Sequence, residues 1–188
     1  MCNCNEILKI KFSKEHDCCV LPSKRLEDAG YDLYADPSCI DDFMIIENGS
    51  TAMIPTGIRS IIPSSHYAQI QERGSTGVKG MKYGAGVIDS GFTGVWNVVI
   101  TNCNKNRIVL YDDNKNKDLK ELYKKVANEI GSSALWAQSS SVFYPISKAI
   151  AQFVLLPVPK TVIEEVSKEE IIGRETLRGE GKLGSSGK

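Results

Sequence analysis

The chain has 188 residues, with 23 Lys and Arg balanced by 23 Asp and Glu, 41% hydrophobic side chains and 24% charged ones. Those values describe one globular domain able to bury a core, and a net charge of zero excludes a protein that coats nucleic acid through a broad cationic surface. The longest apolar run, near 150–158, is broken by Gln152 and Pro157 and falls short of the roughly 18 residues that cross a bilayer.

The first residues, Met1-Cys2-Asn3-Cys4-Asn5-Glu6, lack the basic and apolar regions of a secretory signal. A cytoplasmic protein without a membrane partner is expected. Cys2, Cys4, Cys18, Cys19, Cys39 and Cys103 show neither paired CxxC nor Cys/His zinc spacing. In a chain of this length without a signal they read as reduced, incidental thiols.

Along the chain, β-branched and aromatic residues predict strands at 9–12, 43–46, 51–54, 67–71, 96–101, 153–157 and 161–166. Their spacing predicts a mainly β barrel or jelly roll. One helix interrupts them. Over 118–130 the apolar residues Leu119, Leu122, Tyr123, Val126, Ala127 and Ile130 form an amphipathic stripe. Asp118 and Glu121 are placed for a capping box, and Gly131 for the C-terminal stop. This helix lies in a polar stretch, about 104–144, that reads as an insertion. The domain is expected to span 1–172, with 173–188 a mobile glycine-rich arm carrying Arg174, Arg178, Lys182 and Lys188.

Four further segments carry candidate chemistry. In 28–35, Asp32 follows a glycine turn. Residues 72–80 place Gly74, Ser75 and Thr76 between Arg73 and Lys79, where amides, hydroxyls and positive charge can converge on an anion. The spacing is not that of a P-loop. In 86–96, apolar residues flank Ser90-Gly91 as in a hairpin, with Asp89 beside the turn and Phe92 beyond it. In 148–154, Gln152 interrupts an apolar strand and must find partners for its amide. Singly, each string fits a structural turn, a surface loop or a satisfied buried amide.

Taken in order, AGYDLYA (29–35), RGSTGVKG (73–80), GVIDSGFTG (86–94), AIAQF (149–153) and RGEGKLGSSG (178–187) resemble the five motifs of the homotrimeric dUTPase family, in its bacterial and phage form. The resemblance spans nearly the whole chain outside 104–144. It implies a distorted β-barrel with a helical insertion, hydrolysis of dUTP to dUMP and pyrophosphate, and a homotrimer with shared active sites. Asp89 corresponds to the carboxylate that activates water at the α-phosphorus. Asp32 corresponds to an outer-shell or supporting carboxylate. Mg²⁺ is the implied cofactor, held by substrate phosphates and water with no direct protein ligand.

By the same resemblance, backbone groups of the third motif, including Gly86 and Ile88, read uracil, and Phe92 lies under the deoxyribose. Arg73, Gly74, Ser75 and Gln152 face the α- and β-phosphates. Arg178, Ser185 and Ser186 close over the γ-phosphate, and Leu183 covers the base. Three positions depart from the family pattern. Gly74 stands where a Ser usually follows the Arg, Leu183 replaces an aromatic, and Ala149 replaces an Arg.

Two other readings compete. A dCTP deaminase of the same fold needs a glutamate where Val99 stands and an arginine where Val78 stands. A regulatory role would use the insertion, with Leu135 and Trp136, to engage a protein partner, as some phage relatives do. The alternative is that the helix packs its stripe on its own barrel.

Overall fold

The computed structural model describes residues 7–176. Twelve strands follow in order: β1 (Lys11–Lys14), β2 (Tyr31–Leu33), β3 (Phe43–Ile46), β4 (Thr51–Pro55), β5 (Ile58–Ile61), β6 (His66–Gln71), β7 (Met81–Gly84), β8 (Val87–Ile88), β9 (Asn97–Asn102), β10 (Arg107–Tyr111), β11 (Ser141–Pro145) and β12 (Ala151–Pro157). The helices are α1 (Gly74–Gly77), α2 (Leu119–Glu129), α3 (Ala134–Ser139) and α4 (Lys168–Ile172). Among the described residues, no helix is long and apolar enough to cross a membrane.

The strands form four small sheets ordered β1-β5, β11-β10-β3, β2-β12-β6-β8 and β4-β9-β7. All pairs are antiparallel except β10 with β11. The mainly β architecture is the one expected. Strand alternation builds its core: on β9, Val98, Ile100 and Asn102 point inward. Asn102 is satisfied there by the carbonyls of Ile46 and Asn106, to which it donates, and by the Asn104 N–H, which it accepts. Trp96 packs edge-on against Phe12 and Phe153, Tyr31 stacks on Phe153 at 5.0 Å, and the indole N–H donates to Ser60 Oγ at 3.1 Å.

The insertion is shorter and less separate than expected. Strand β10 and all but the last residue of β11 lie inside 104–144, yet β10 pairs with β3 and sends Ile108 and Leu110 into the barrel core. Its other face, Val109 and Tyr111, meets Leu122, Val126 and Ala127 of α2 and Ala137 of α3. With both faces covered, β10 carries no alternation and so escapes a period-two reading. Two helices occupy the segment instead of one. The predicted stripe packs on the chain's own sheet, while Leu135 and Trp136 remain exposed.

At the helix ends, the Asp118 carboxylate accepts from the Lys120 N–H at 2.8 Å, and Gly131 takes the left-handed conformation, φ +63°. Glu121 pairs with Lys124 at 2.7 Å.

The first compact unit ends at Val158, short of the expected residue 172, and the described residues from Pro159 onward belong to a second unit. The predicted strand at 161–166 does not form. Val162 and Ile163 have strand propensity but no ladder neighbour, and both are exposed. In that unit α4 is capped by Ser167, whose Oγ accepts from the Glu170 N–H at 3.1 Å.

Because Leu122 closes the layer between α2 and β10, Leu122→Ala is expected to lower the unfolding free energy by about 2–5 kcal/mol. An unchanged urea midpoint would mean that the helices contribute nothing to the barrel.

Candidate functional site

Sheet register gathers the polar residues of three motifs. Gln152 on β12 lies opposite Asp32 on β2 and opposite Gln71 on β6. The chain leaves β6 through Glu72 and Arg73 and turns at once into α1, whose first turn Thr76 fastens. Its hydroxyl accepts from the Arg73 N–H at 3.2 Å and donates to the Arg73 carbonyl at 3.1 Å. Thr76 is fully buried. The small residues of this segment therefore make a tight turn that aims Arg73 back across the sheet end.

Arg73 meets Asp32 in a bidentate pair, Nε to Oδ1 at 2.7 Å and Nη2 to Oδ2 at 3.1 Å. Its Nη1 donates to Ser75 Oγ at 3.1 Å and to the Ala149 carbonyl at 3.4 Å. Burial opposes the guanidinium's charge, but the Asp32 bonds outweigh it and raise the Arg73 pKa above its ordinary value. Both oxygens of Asp32 are thus engaged by a cation, which makes it the carboxylate that orients Arg73.

Gln152 donates to the Glu72 carbonyl at 2.7 Å. Gly30 lets the two strands close over it, because a Cβ there would sit 2.3 Å from Gln152 Oε1. Beneath, the Tyr83 hydroxyl donates to the Ile150 carbonyl, and burial pushes its pKa up to about 12.

These residues line a recess of about 950 Å³ that includes Gly30, Asp32, Arg73, Gly74, Ser75 and Gln152. An adjoining recess of about 480 Å³ shares Asp32, Arg73 and Ser75 and adds Lys79, Tyr144 and Lys148. Ser75, unlike Gly74, already bonds Arg73 and is the hydroxyl that lines both. A Cβ at Gly74 would meet nothing within 4 Å, so the backbone there lies open to a ligand.

Sequence reasoning missed Lys24 and Arg25, which also line the larger recess. Arg25 is paired with Asp28 at 2.8 Å. Their adjacent positive charges just before the first motif were the available signal. Guanidinium, ammonium, hydroxyl and amide donors suit phosphate oxygens. The larger recess also carries the carboxylates of Glu27, Asp28 and Asp32, of which Asp28 is bonded to Arg25 and Asp32 to Arg73.

The third motif lies elsewhere in the chain. Residues β8 pair with β6, Ile88 opposite Ala68, whereas β9 pairs with β4 and β7. The expected hairpin is therefore a turn between two sheets, closed by the Phe92 N–H donating to the Asp89 carbonyl at 3.0 Å. Gly86 presses on β6, where a Cβ would lie 2.9 Å from the Ile70 carbonyl oxygen. The Phe92 ring covers Gly94, and Asp89 is exposed.

Along β6, Asp89 sits beside the Tyr67 end and Arg73 beyond the Gln71 end, a separation of about 20 Å for six residues of strand. Neither recess includes Gly86, Ile88, Asp89 or Phe92. Arg178, Leu183, Ser185 and Ser186 lie outside the described residues.

Comparison with known proteins decides the family. The dUTPase family model matches residues 16–115, more than half of the chain and inclusive of Asp32, Arg73 and Asp89. The chain belongs to the dUTPase family. The deoxyuridine 5'-triphosphate nucleotidohydrolase of Candida albicans is 30% identical over 161 residues, covering 85% of this chain and 76% of that protein. The Pol polyprotein of equine infectious anemia virus, strain Wyoming, is 32% identical over 95 residues, and the match covers 50% of this chain but only 8% of the polyprotein.

Among solved structures, the dUTPase of Staphylococcus bacteriophage 80alpha with dUPNHPP superposes with a TM-score of 0.65 at 18% identity, covering 96% of this chain and 99% of that one. At that identity the likeness is one of fold, and it places this dUTPase-family chain among mainly β proteins.

A double-mutant cycle tests the packing of Gly30 on Gln152. Gly30→Ala is expected to displace the amide and cost about 1 kcal/mol of stability. In a Gln152→Ala background the same change should cost much less. Equal costs in both backgrounds would contradict the contact.

Proposed function

We propose that the protein hydrolyses dUTP to dUMP and pyrophosphate, as a homotrimer whose active sites are shared between chains. The observation that carries this reading is the Arg73–Asp32–Gln152 arrangement, a prepared phosphate clamp in a chain of the dUTPase family. Arg73, Ser75 and Gln152 take the α- and β-phosphate oxygens. Mg²⁺ arriving with the substrate would neutralise part of the triphosphate charge while Arg73, Ser75 and Gln152 hold the phosphates; separately, a mutant dUTPase of phage phi11 of S. aureus has a structural Mg(II) ion.

Asp89 belongs to a different corner of the same substrate. Exposed beside a turn, it is free to orient a water and accept its proton as oxygen attacks the α-phosphorus. The about 20 Å between the two ends of β6 is spanned when Asp89 of one chain faces the Arg73 recess of a neighbour in a closed ring. Backbone groups around Gly86 and Ile88 pair with the uracil edge, and Phe92, held over Gly94, backs the sugar. Arg178, Ser185 and Ser186 complete the γ-phosphate site from the arm, with Leu183 over the base.

Deamination of dCTP is disfavoured because Val99 offers no titratable group where that chemistry moves protons. It is a half-buried residue on β9 between Met53 and Gly84.

With Mg²⁺, the purified protein is expected to release pyrophosphate from dUTP and not from dCTP or dTTP. Asp89→Asn should lower kcat by about 10²–10⁴-fold while leaving dUTP affinity nearly unchanged. Ammonia release from dCTP, or full turnover in Asp89→Asn, would contradict the proposal.

A further inference from the structure

Three of the cysteines read from spacing alone as incidental, Cys18, Cys19 and Cys39, lie beside one buried carboxylate. The turn at 16–19, closed by the Cys19 N–H donating to the His16 carbonyl at 3.0 Å, brings two adjacent thiols to the same side. Cys18 Sγ, Cys19 Sγ and an Asp36 oxygen all lie within 4.8 Å of one another. Cys18 Sγ is 4.0 Å from Asp36 Oδ1, and Cys39 Sγ is 3.7 Å from Asp36 Oδ2. Asp36 itself is 2% exposed.

The surroundings are shaped to this cluster. Gly57, at φ +64°, leaves the space it needs: a Cβ there would lie 2.2 Å from Cys19 Sγ and 2.6 Å from Asp36 Oδ2. Ser38 holds the other carboxylate oxygen, its N–H and hydroxyl donating to Oδ1 at 2.9 and 2.7 Å. That bond fixes the carboxylate's orientation from behind, as supporting residues do for metal-ligating carboxylates.

We propose that Cys18, Cys19, Cys39 and Asp36 form a structural site for one Zn²⁺. Three sulfurs and one oxygen match the tetrahedral ligand set of this cation, whose Zn–S bonds of about 2.3 Å need sulfurs roughly 3.8 Å apart; Cys18, Cys19 and Asp36 already lie within 4.8 Å of one another, and Cys39, 3.7 Å from the same carboxylate, becomes the fourth ligand by turning its sulfur toward them. Hard Mg²⁺ is not suited to thiolate. Binding exchanges the thiol protons for the metal and releases them to solvent.

The site would tie the segment after β1 to the short 3₁₀ turn Pro37–Cys39 and to the β4–β5 connection at Gly57. It is separate from the phosphate recess, neither of whose two parts includes Cys18, Cys19, Cys39 or Asp36.

The test uses full-length protein carrying Cys2→Ser and Cys4→Ser, which removes the N-terminal thiols as a competing source of metal binding. Stripped with a chelator and desalted, it is titrated with Zn²⁺ against a chromophoric chelator and, separately, with Co²⁺. One metal per chain, a cobalt spectrum with thiolate charge transfer and tetrahedral ligand-field bands, and at least about 100-fold weaker Zn²⁺ binding in Cys18→Ser and in Cys39→Ser are expected, a loss beyond that of a supporting residue. A stoichiometry well below one, a cobalt spectrum without thiolate charge transfer, or unchanged affinity in either variant would overturn the site. Because the readout is metal binding, its failure leaves the dUTP proposal standing, and the reverse holds as well.

Discussion

Two parallel hydrogen bonds between Arg73 and Asp32 organise one whole end of this protein. An arginine on a loop has about 2 kcal/mol of rotamer entropy to lose when it is fixed on a ligand. Here much of that is lost during folding, because the carboxylate on β2 clamps the guanidinium that leaves β6, and Ser75 and the Ala149 carbonyl hold its remaining edge. Both side chains are 29% exposed, so solvent screens the pair and its contribution to stability is small. Its effect is orientation: it requires β2, β12 and β6 in their observed register and the tight turn of α1.

The same register has a second consequence. Sheet β2-β12-β6-β8 presents the clamp at one end of β6 and the Asp89 turn at the other. A strand is too stiff to fold these ends together, and this separation is what motivates the proposal that the phosphate clamp and the water-activating carboxylate of one site come from different chains. In the proposed closed ring, each chain would offer its two ends to different neighbours. The helices of the insertion pack on the other face of β10, with Val109 and Tyr111.

Much of this was legible in the sequence where ordered motifs carry the chemistry. Singly, Arg73, Asp32 and Gln152 fitted structural roles; the order and wording of the motifs that carry them, by their resemblance to the dUTPase family, singled them out, and the structure brings these three together. Strands were visible by their β-branched and aromatic residues; β10, covered on both faces and set in a stretch that read as an insertion, was not. At 161–166 propensity pointed to a strand, but a strand needs a neighbour to pair with, and the chain supplies none there. The third motif read as a hairpin because its flanks are apolar, although those flanks join different sheets. Cys18, Cys19 and Cys39 looked unrelated because their association depends on a turn and on the space left by Gly57, neither of which follows from cysteine spacing.

The claim that the site is shared is tested most directly by mixing two inactive variants. Arg73→Ala and Asp89→Asn chains, each defective as a homotrimer, are co-refolded in equal amounts and assayed for pyrophosphate release from dUTP. If the clamp and the carboxylate of one site come from different chains, every mixed ring holds one intact site, and activity should return to roughly a quarter of wild type. No recovery, with mixed rings demonstrated by mass, would place both residues of a site in one chain and contradict the account.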